Sequence, residues 1–234
     1  MMDSQHIKHR IASTMSPLWS VLTDEEQELF VENAVIRKFN REDVIFKEGE
    51  VSTHLLFLLR GKVALYNKGV ANRMRLIRMV ELHGFFGYQS AFVNTPSQIT
   101  AIAGSDTSVV MIPMNIVFHL IWENPKVAMF FITELSTMLG ISVRQTITLT
   151  HKHIRGRLAE VLLHMKKNYG TESDGQTIAV YMSRDDLANL SNMTTSNAIR
   201  TLSNFATERI IAIDGRKIKI MDEPKLKEIS RGGK

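Results

Sequence analysis

The sequence predicts an α+β chain in three parts: an N-terminal β-roll, one long helix, and a C-terminal winged helix-turn-helix. Three observations predict it. Short runs rich in apolar, β-branched and aromatic residues recur at near-regular spacing up to Ile112, divided by glycine or polar breaks. A stretch from Val127 to Thr150 then carries a heptad pattern. Finally, Ser183 to Met221 reads as helix, tight turn, helix and hairpin.

Taken in order, Met1–Met15 is polar and mixed in charge, without the apolar core of a secretion signal. Thr23-Asp24-Glu25-Glu26 is a helix start, with acids at the positive end of the dipole, and Leu29, Phe30 and Ala34 follow at helical spacing. After Arg37 the period changes. Val44-Ile45-Phe46, Leu55–Leu59, Val63–Tyr66, Met74–Leu82 and Val109–Ile112 read as strands. Glu48-Gly49-Glu50, Arg60-Gly61-Lys62, Lys68-Gly69, His83-Gly84 and Gly104-Ser105 divide them as turns or bulges.

Asn115–Asn124 reads as a short helix ended by Pro125, and a longer helix follows, roughly Val127 to Thr150. In it Phe131, Leu135, Met138, Ser142, Gln145 and Leu149 recur at alternating spacings of four and three, the seam of a parallel helix pair and the expected dimerisation surface. Ser142 and Gln145 weaken such a seam, and either set its register or meet a ligand. An ordinary helix packed on its own domain is the plainer alternative. Lys152–Arg157 reads as a hinge, Leu158–Lys167 as a fresh helix with a stripe of Leu158, Val161, Leu162 and Met165, and Thr177–Met182 as a short strand.

In the C-terminal module Ser183 is an N-cap, with Asp185 and Asp186 in the first turn. Asn192 suits the left-handed geometry of a turn. Thr194 or Thr195 caps a second helix running to about Glu208, with Ala198, Leu202 and Phe205 on its buried side. Its other face carries Thr195, Ser196, Ile199, Arg200 and Ser203, short polar groups with one forked donor, a surface able to enter a DNA major groove. Ile210–Ile213 and Arg216–Ile220 form a hairpin around an Asp214-Gly215 turn. A plain helical subdomain is the bland alternative, and charge argues against it. Of 29 Lys+Arg and 24 Asp+Glu, residues 151–234 hold 15 and 10, leaving 14 of each in residues 1–150. The whole excess of +5 lies in the C-terminal third, as a phosphate-binding module needs.

Composition excludes several classes. Hydrophobic content of 44% and charged content of 23% are those of a globular protein. No apolar run is read as approaching the ~20 residues of a membrane span. With no cysteine there is no disulfide, thiolate iron–sulfur cluster or sulfur-ligated zinc, which fits a cytoplasmic protein. No Walker loop, HExxH or nucleophile elbow is present, so no enzyme is expected. A cupin-like metal enzyme would share the β-roll but needs clustered ligands, and His54 and His83 lack the spacing; the expected metal set is none.

The order of parts resembles the cyclic-AMP receptor protein/FNR (Crp/Fnr) family of bacterial transcription regulators from about Leu18 to Met221. The motifs are Phe46-Lys47-Glu48-Gly49-Glu50, Leu58-Leu59-Arg60-Gly61-Lys62-Val63, Gly84-Phe85-Phe86-Gly87, Arg155-Gly156-Arg157-Leu158-Ala159 and Ser183-Arg184-Asp185-Asp186-Leu187-Ala188. The resemblance implies a cyclic-nucleotide-binding-like roll and a homodimer that binds near-palindromic double-stranded DNA and recruits or blocks RNA polymerase. The expected domains are residues 1–126 (sensor roll), 127–153 (dimerisation helix and hinge) and 154–234 (winged helix-turn-helix).

The chain departs from the family where ligands bind. Nucleotide-binding members follow the final glycine of the roll motif with Glu-Leu and place an Arg-Ser pair further on. Here Tyr88-Gln89 follow Gly87, and Gln98-Ile99 stand at the second place. An amide does not replace a guanidinium as a charged, forked phosphate partner, so cyclic AMP is not expected. Tyr88, Gln98, Ser142 and Val143 are candidate linings of an effector pocket, or fillers of a collapsed one. Haem held by His83, His151 or His153, as in some relatives, is an alternative; solvated or turn-bound imidazoles explain these residues more simply. Of the family's reading residues only Arg200 is kept. Thr194, Thr195, Ser196, Ile199 and Ser203 complete the expected DNA face, and Arg184, Arg216 and Lys217 are expected at phosphates.

Overall fold

A computed structural model describes residues 14–68 and 74–232, apart from the side chains of Ser16, Gln145 and residues 147–151. The chain divides into two compact units, Met1–Met74 with Arg78–Gly140, and Arg75–Ile77 with Ile141–Lys234. Each is described by itself.

In the first unit, α1 (Ser16–Trp19) and α2 (Asp24–Asn33) precede the strands. Thr23 caps α2 with the expected capping box: its Oγ1 accepts from the Glu26 N–H at 3.3 Å, and Glu26 Oε2 accepts from the Thr23 N–H at 2.8 Å. Among the described residues eight strands follow: β1 (Val35–Phe39), β2 (Val44–Phe46), β3 (His54–Arg60), β4 (Val63–Lys68), β5 (Met74–Val80), β6 (Phe85–Phe86), β7 (Thr100–Ala103) and β8 (Thr107–Pro113). A short α3 (Gln89–Phe92) lies between β6 and β7. Two four-stranded sheets result, ordered β1-β8-β3-β6 and β2-β7-β4-β5. β3 and β8 are antiparallel neighbours, Leu56 opposite Met111 and Phe57 opposite Val110.

The packing explains why β3 reads as an unbroken apolar run. Leu55, Phe57 and Leu59 join one core, beneath α1, α2 and the helices after the roll. Leu56 and Leu58 join a second core with Val63, Leu65, Ala101 and Ala103 of the other sheet. A strand buried on both faces loses its polar alternation. β1, β6 and β7 are additions to the predicted strands. β7 is built on Ala101 and Ala103, both fully buried, small residues that carry little strand signal. Gly61 turns β3 into β4 at φ +95°, where an added Cβ would lie 2.5 Å from the Asp106 carbonyl oxygen.

α4 (Met114–Glu123) leads into α5 (Pro125–His151). Proline at the first helical position starts α5, two residues before the expected Val127. Asn124 joins the elements, donating from Nδ2 to the Val21 carbonyl (2.9 Å) and Glu26 Oε2 (2.8 Å), and accepting the Lys126 N–H.

The orientation of α5 corrects the predicted seam. Phe131 is only 3% exposed, in the unit's own core, and Met138 turns to the roll, where it meets Tyr88 and Gln89. The outward apolar side is Ile132 (55% exposed), Leu135 and Leu139 (66% exposed), with Ser142 next in the same alternation of three and four. Leu135 and Ser142 belong to both patterns; Gln145 and Leu149 have side chains outside the described residues. Pro125–Arg144 is also long and apolar enough to cross a membrane by length and composition, correcting the expectation that no run approaches that size.

In the second unit α6 (Ile154–Tyr169) begins one residue after His153, so Arg155, Gly156 and Arg157 are its first turn, not part of a hinge. The break from α5 is Lys152-His153 alone. α7 (Arg184–Leu190) and α8 (Thr195–Thr207) precede a hairpin, β9 (Ile211–Asp214) and β10 (Lys217–Ile220). Asp214 pairs with Lys217, so the loop is Gly215-Arg216, one residue later than expected, with Gly215 at φ +54°. Thr177–Met182 forms no strand. Isolated bridges link Thr171 to Ile178 and Thr177 to Lys219, and the segment lies along the hairpin through Ile178 N–H to the Ile218 carbonyl (3.0 Å). A last helix, α9 (Glu223–Gly232), absent from the sequence reading, buries Leu226 and Ile229 and packs on α6.

Candidate nucleic-acid interface

The site is built from local chemistry. Ser183 caps α7 in a capping box with Asp186, hydroxyl accepting the Asp186 N–H at 3.0 Å. Leu187 and Ala188 are buried. Asn192 then adopts φ +47° in the turn, the left-handed geometry its short polar side chain tolerates. Thr194 caps α8, its hydroxyl accepting from Asn197 N–H at 3.3 Å. Ala198, Thr201, Leu202 and Phe205 are buried on one side of α8. Ser196, Ile199, Arg200 and Ser203 are exposed on the other.

Not every predicted residue is equally free. Thr195 is half-buried, its hydroxyl donating to Asp185 Oδ1. Arg184 turns back within the module: Nη2 donates to the Gly215 carbonyl at 2.8 Å, while Nη1 is buried without a partner among the described residues. It ties α7 to the hairpin loop. Arg216 is exposed at the loop. Lys217 is exposed too, but sits 3.3 Å from Glu172 and 5.4 Å over the Tyr181 ring. Two residues along the same strand, Lys219 sits 3.4 Å from Asp174, which accepts from Thr177 and Gln176 N–H groups and the Thr177 hydroxyl; these hold its carboxyl well below the usual carboxylate range.

Sequence reasoning missed two pairs. Arg200 Nη2 donates to Asn197 Oδ1 at 2.8 Å, three residues back along α8. Arg155, in the first turn of α6, grips Glu208 at the C-cap of α8, donating from Nη1 and Nη2 at 2.7 and 2.8 Å, and lies 5.0 Å over the Phe205 ring. The Asn197 spacing was available as an i, i+3 pair; Arg155 and Glu208 are 53 positions apart, with no local signal.

The predicted effector residues fall in different settings. Tyr88 is fully buried, edge-on to Phe92 and Phe131, its hydroxyl donating to Met138 Sδ at 3.6 Å. Burial pushes its phenol up to about 12. The ring is a core residue, in keeping with the second of the two expectations for it, a filler and not a pocket lining. Gln98 is exposed, its backbone carbonyl accepting from Asn67 Nδ2 at 2.8 Å. Ser142 and Val143 are exposed on α5. Of the histidines considered for haem, His83 is exposed and stacks on Phe57, His153 is the exposed N-cap residue of α6, and the His151 side chain lies outside the described residues.

Comparison with known proteins accords with this geometry. Residues 156–229 match the Crp-like helix-turn-helix domain, and residues 36–124 match the cyclic nucleotide-binding domain. The chain is 25% identical over 189 residues to the global nitrogen regulator of Nostoc sp., covering 80% of this chain and 85% of that protein. It is 22% identical over 194 residues to a CRP-like cAMP-activated global transcriptional regulator of Mycobacterium tuberculosis, covering 82% and 87%. Among solved structures, a CRP/FNR-family transcriptional regulator from Thermus thermophilus shares the fold with a TM-score of 0.73 at 22% identity, over 86% of this chain and all of that one. FixK2 from Bradyrhizobium japonicum does so with a TM-score of 0.72, also at 22% identity, over 83% and 96%.

Proposed function

Because this chain belongs to the Crp/Fnr family of DNA-binding transcription regulators, we propose that it acts in the cytoplasm as a homodimer, reads a two-fold operator through α8, and takes no instruction from cyclic AMP. The observation that carries the DNA reading is the division of α8. Its apolar side is consumed by the core, and Ser196, Ile199, Arg200 and Ser203 are left outward. Arg200 makes a bidentate contact to guanine O6 and N7, Ile199 meets a thymine methyl, and the hydroxyls of Thr194, Ser196 and Ser203 donate to phosphates or base edges. Arg216 supplies a phosphate contact from the hairpin loop. Arg184 and Thr195 act by holding the module together.

Dimerisation through α5 gives its outward apolar side an occupant, with Ile132, Leu135 and Leu139 as the knobs of the seam. Two α8 helices then lie about one turn of DNA apart, and RNA polymerase is the partner recruited or blocked. The case against cyclic AMP is chemical. Tyr88 stands at the family's glutamate position and is spent on the core, and Gln98 lies where the phosphate-binding arginine is expected.

Selection of bound duplexes from a random pool, followed by affinity measurement at fixed salt, tests the reading. Arg200→Ala should cut the ratio of operator to random-DNA affinity by roughly 5- to 150-fold for each half-site, the worth of one good bidentate base contact. An unchanged ratio would mean that the wrong face has been assigned. Calorimetric binding of cyclic AMP at micromolar concentration would overturn the ligand part alone.

A further inference from the structure

We infer that Asn197 is a positioning residue for base recognition: it presents the Arg200 guanidinium to a guanine in the major groove. The inference rests on the reading above, that the outward face of α8 meets base edges. It goes further by giving the specificity of that face to a pair.

Asn197 occupies the third position of α8, where its own N–H is already taken by the Thr194 cap. Its half-buried side chain accepts at Oδ1 from Arg200 Nη2 at 2.8 Å. Residues three apart share one side of a helix, so the contact draws the guanidinium back toward the N-terminal end of α8. That is the end from which a recognition helix reaches base edges. A free arginine has a long stem with many rotamers, and ordering it on binding costs affinity. A neighbour that already holds it removes part of that cost.

The chemistry of the partner matters as much as its place. An amide accepts the hydrogen bond without neutralising the guanidinium, which keeps its full charge for guanine N7 and O6 and for nearby phosphate. A carboxylate there would hold the arginine more tightly and also repel the DNA. Nη2 carries two hydrogens and gives one to Asn197, so the forked approach through Nη1 and Nη2 is still open. The Thr195 hydroxyl is engaged by Asp185.

The test uses the full chain, the selected operator, the same operator with the contacted guanine replaced in both half-sites, and four variants: Asn197→Ala, Asn197→Asp, Arg200→Ala and the double alanine. The readout is the ratio of the two affinities, which a uniform loss of folded protein does not move. Asn197→Ala should lower that ratio roughly 2- to 10-fold for each half-site, the worth of a single hydrogen bond. Asn197→Asp should lower it too. The double variant should discriminate no less than Arg200→Ala, because Asn197 acts only through Arg200. A full ratio in Asn197→Ala overturns the proposal, as does a double variant that falls below Arg200→Ala, the mark of an asparagine reading its own base. If Arg200→Ala keeps the full ratio, the assignment of the α8 face fails and this inference fails with it.

Discussion

Replacing Arg155 with alanine removes the clamp that joins the start of α6 to the end of α8. Three contributions are lost together. The first is the bidentate pair with Glu208, whose side chains are 27% and 41% exposed, so that it is worth at most about 1 kcal/mol after solvent screening. The second is the cation over Phe205, about 0.5–1 kcal/mol at such a site. The third is the cost of leaving Glu208 without its guanidinium at the C-terminal, negative end of α8, about 0.3–1 kcal/mol. These overlap, and together they predict a loss of about 1–2 kcal/mol. For a unit of this size each kcal/mol moves the thermal midpoint by about 4–8 °C, readable by calorimetry or circular dichroism. Arg155→Lys should recover only part, because an ammonium does not make the fork. The pH dependence has a definite sign. The hydrogen bonds from Arg155 hold the Glu208 carboxyl below its ordinary value. A carboxyl lowered on folding stabilises above its unfolded pKa, and that stability is lost as pH falls through the folded one. The gap between the wild type and Arg155→Ala should therefore narrow in acid, below the ordinary carboxylate range. A gap under about 0.3 kcal/mol at neutral pH, or one that does not narrow in acid, would refute the reasoning.

Two other changes probe the remaining claims, beside those at Arg200 and Asn197. Ser183→Ala removes the α7 cap and Asp186's hydroxyl partner, and should cost about 1 kcal/mol by urea unfolding. Leu139→Glu places a charge on the outward side of α5; sedimentation should show the dimer giving way to monomer and operator affinity falling together, whereas an unaltered dimer would reject the seam.

Much of the candidate site was legible in the sequence because its signals are local. A serine with an acid three residues on, an asparagine in the turn, and apolar residues at 198, 202 and 205 each act within a few positions, so periodicity and capping chemistry identify them. β2, β3, β4, β5 and β8 were legible as apolar runs. β1, β6 and β7 were not; in β7, two alanines carry no strand signal until Ala101 and Ala103 are seen closing the space between sheets. α9 was missed as a short charged stretch whose two buried residues acquire meaning only against α6.

By itself the sequence determined the order of parts, the helix caps, the polar face of α8 and the absence of a glutamate–arginine ligand pair. Those follow from residue type and short spacing. Only the tertiary structure decided which residues that face can spend. It turned Phe131 and Met138 of α5 inward and Ile132 and Leu139 outward, made Tyr88 a core residue, and gave Arg184 to the Gly215 carbonyl and Arg155 to Glu208. The reason is physical: α5 carries apolar residues on more than one side, and a heptad pattern cannot say which side its own domain will bury. That choice belongs to the shape of the surface it packs against.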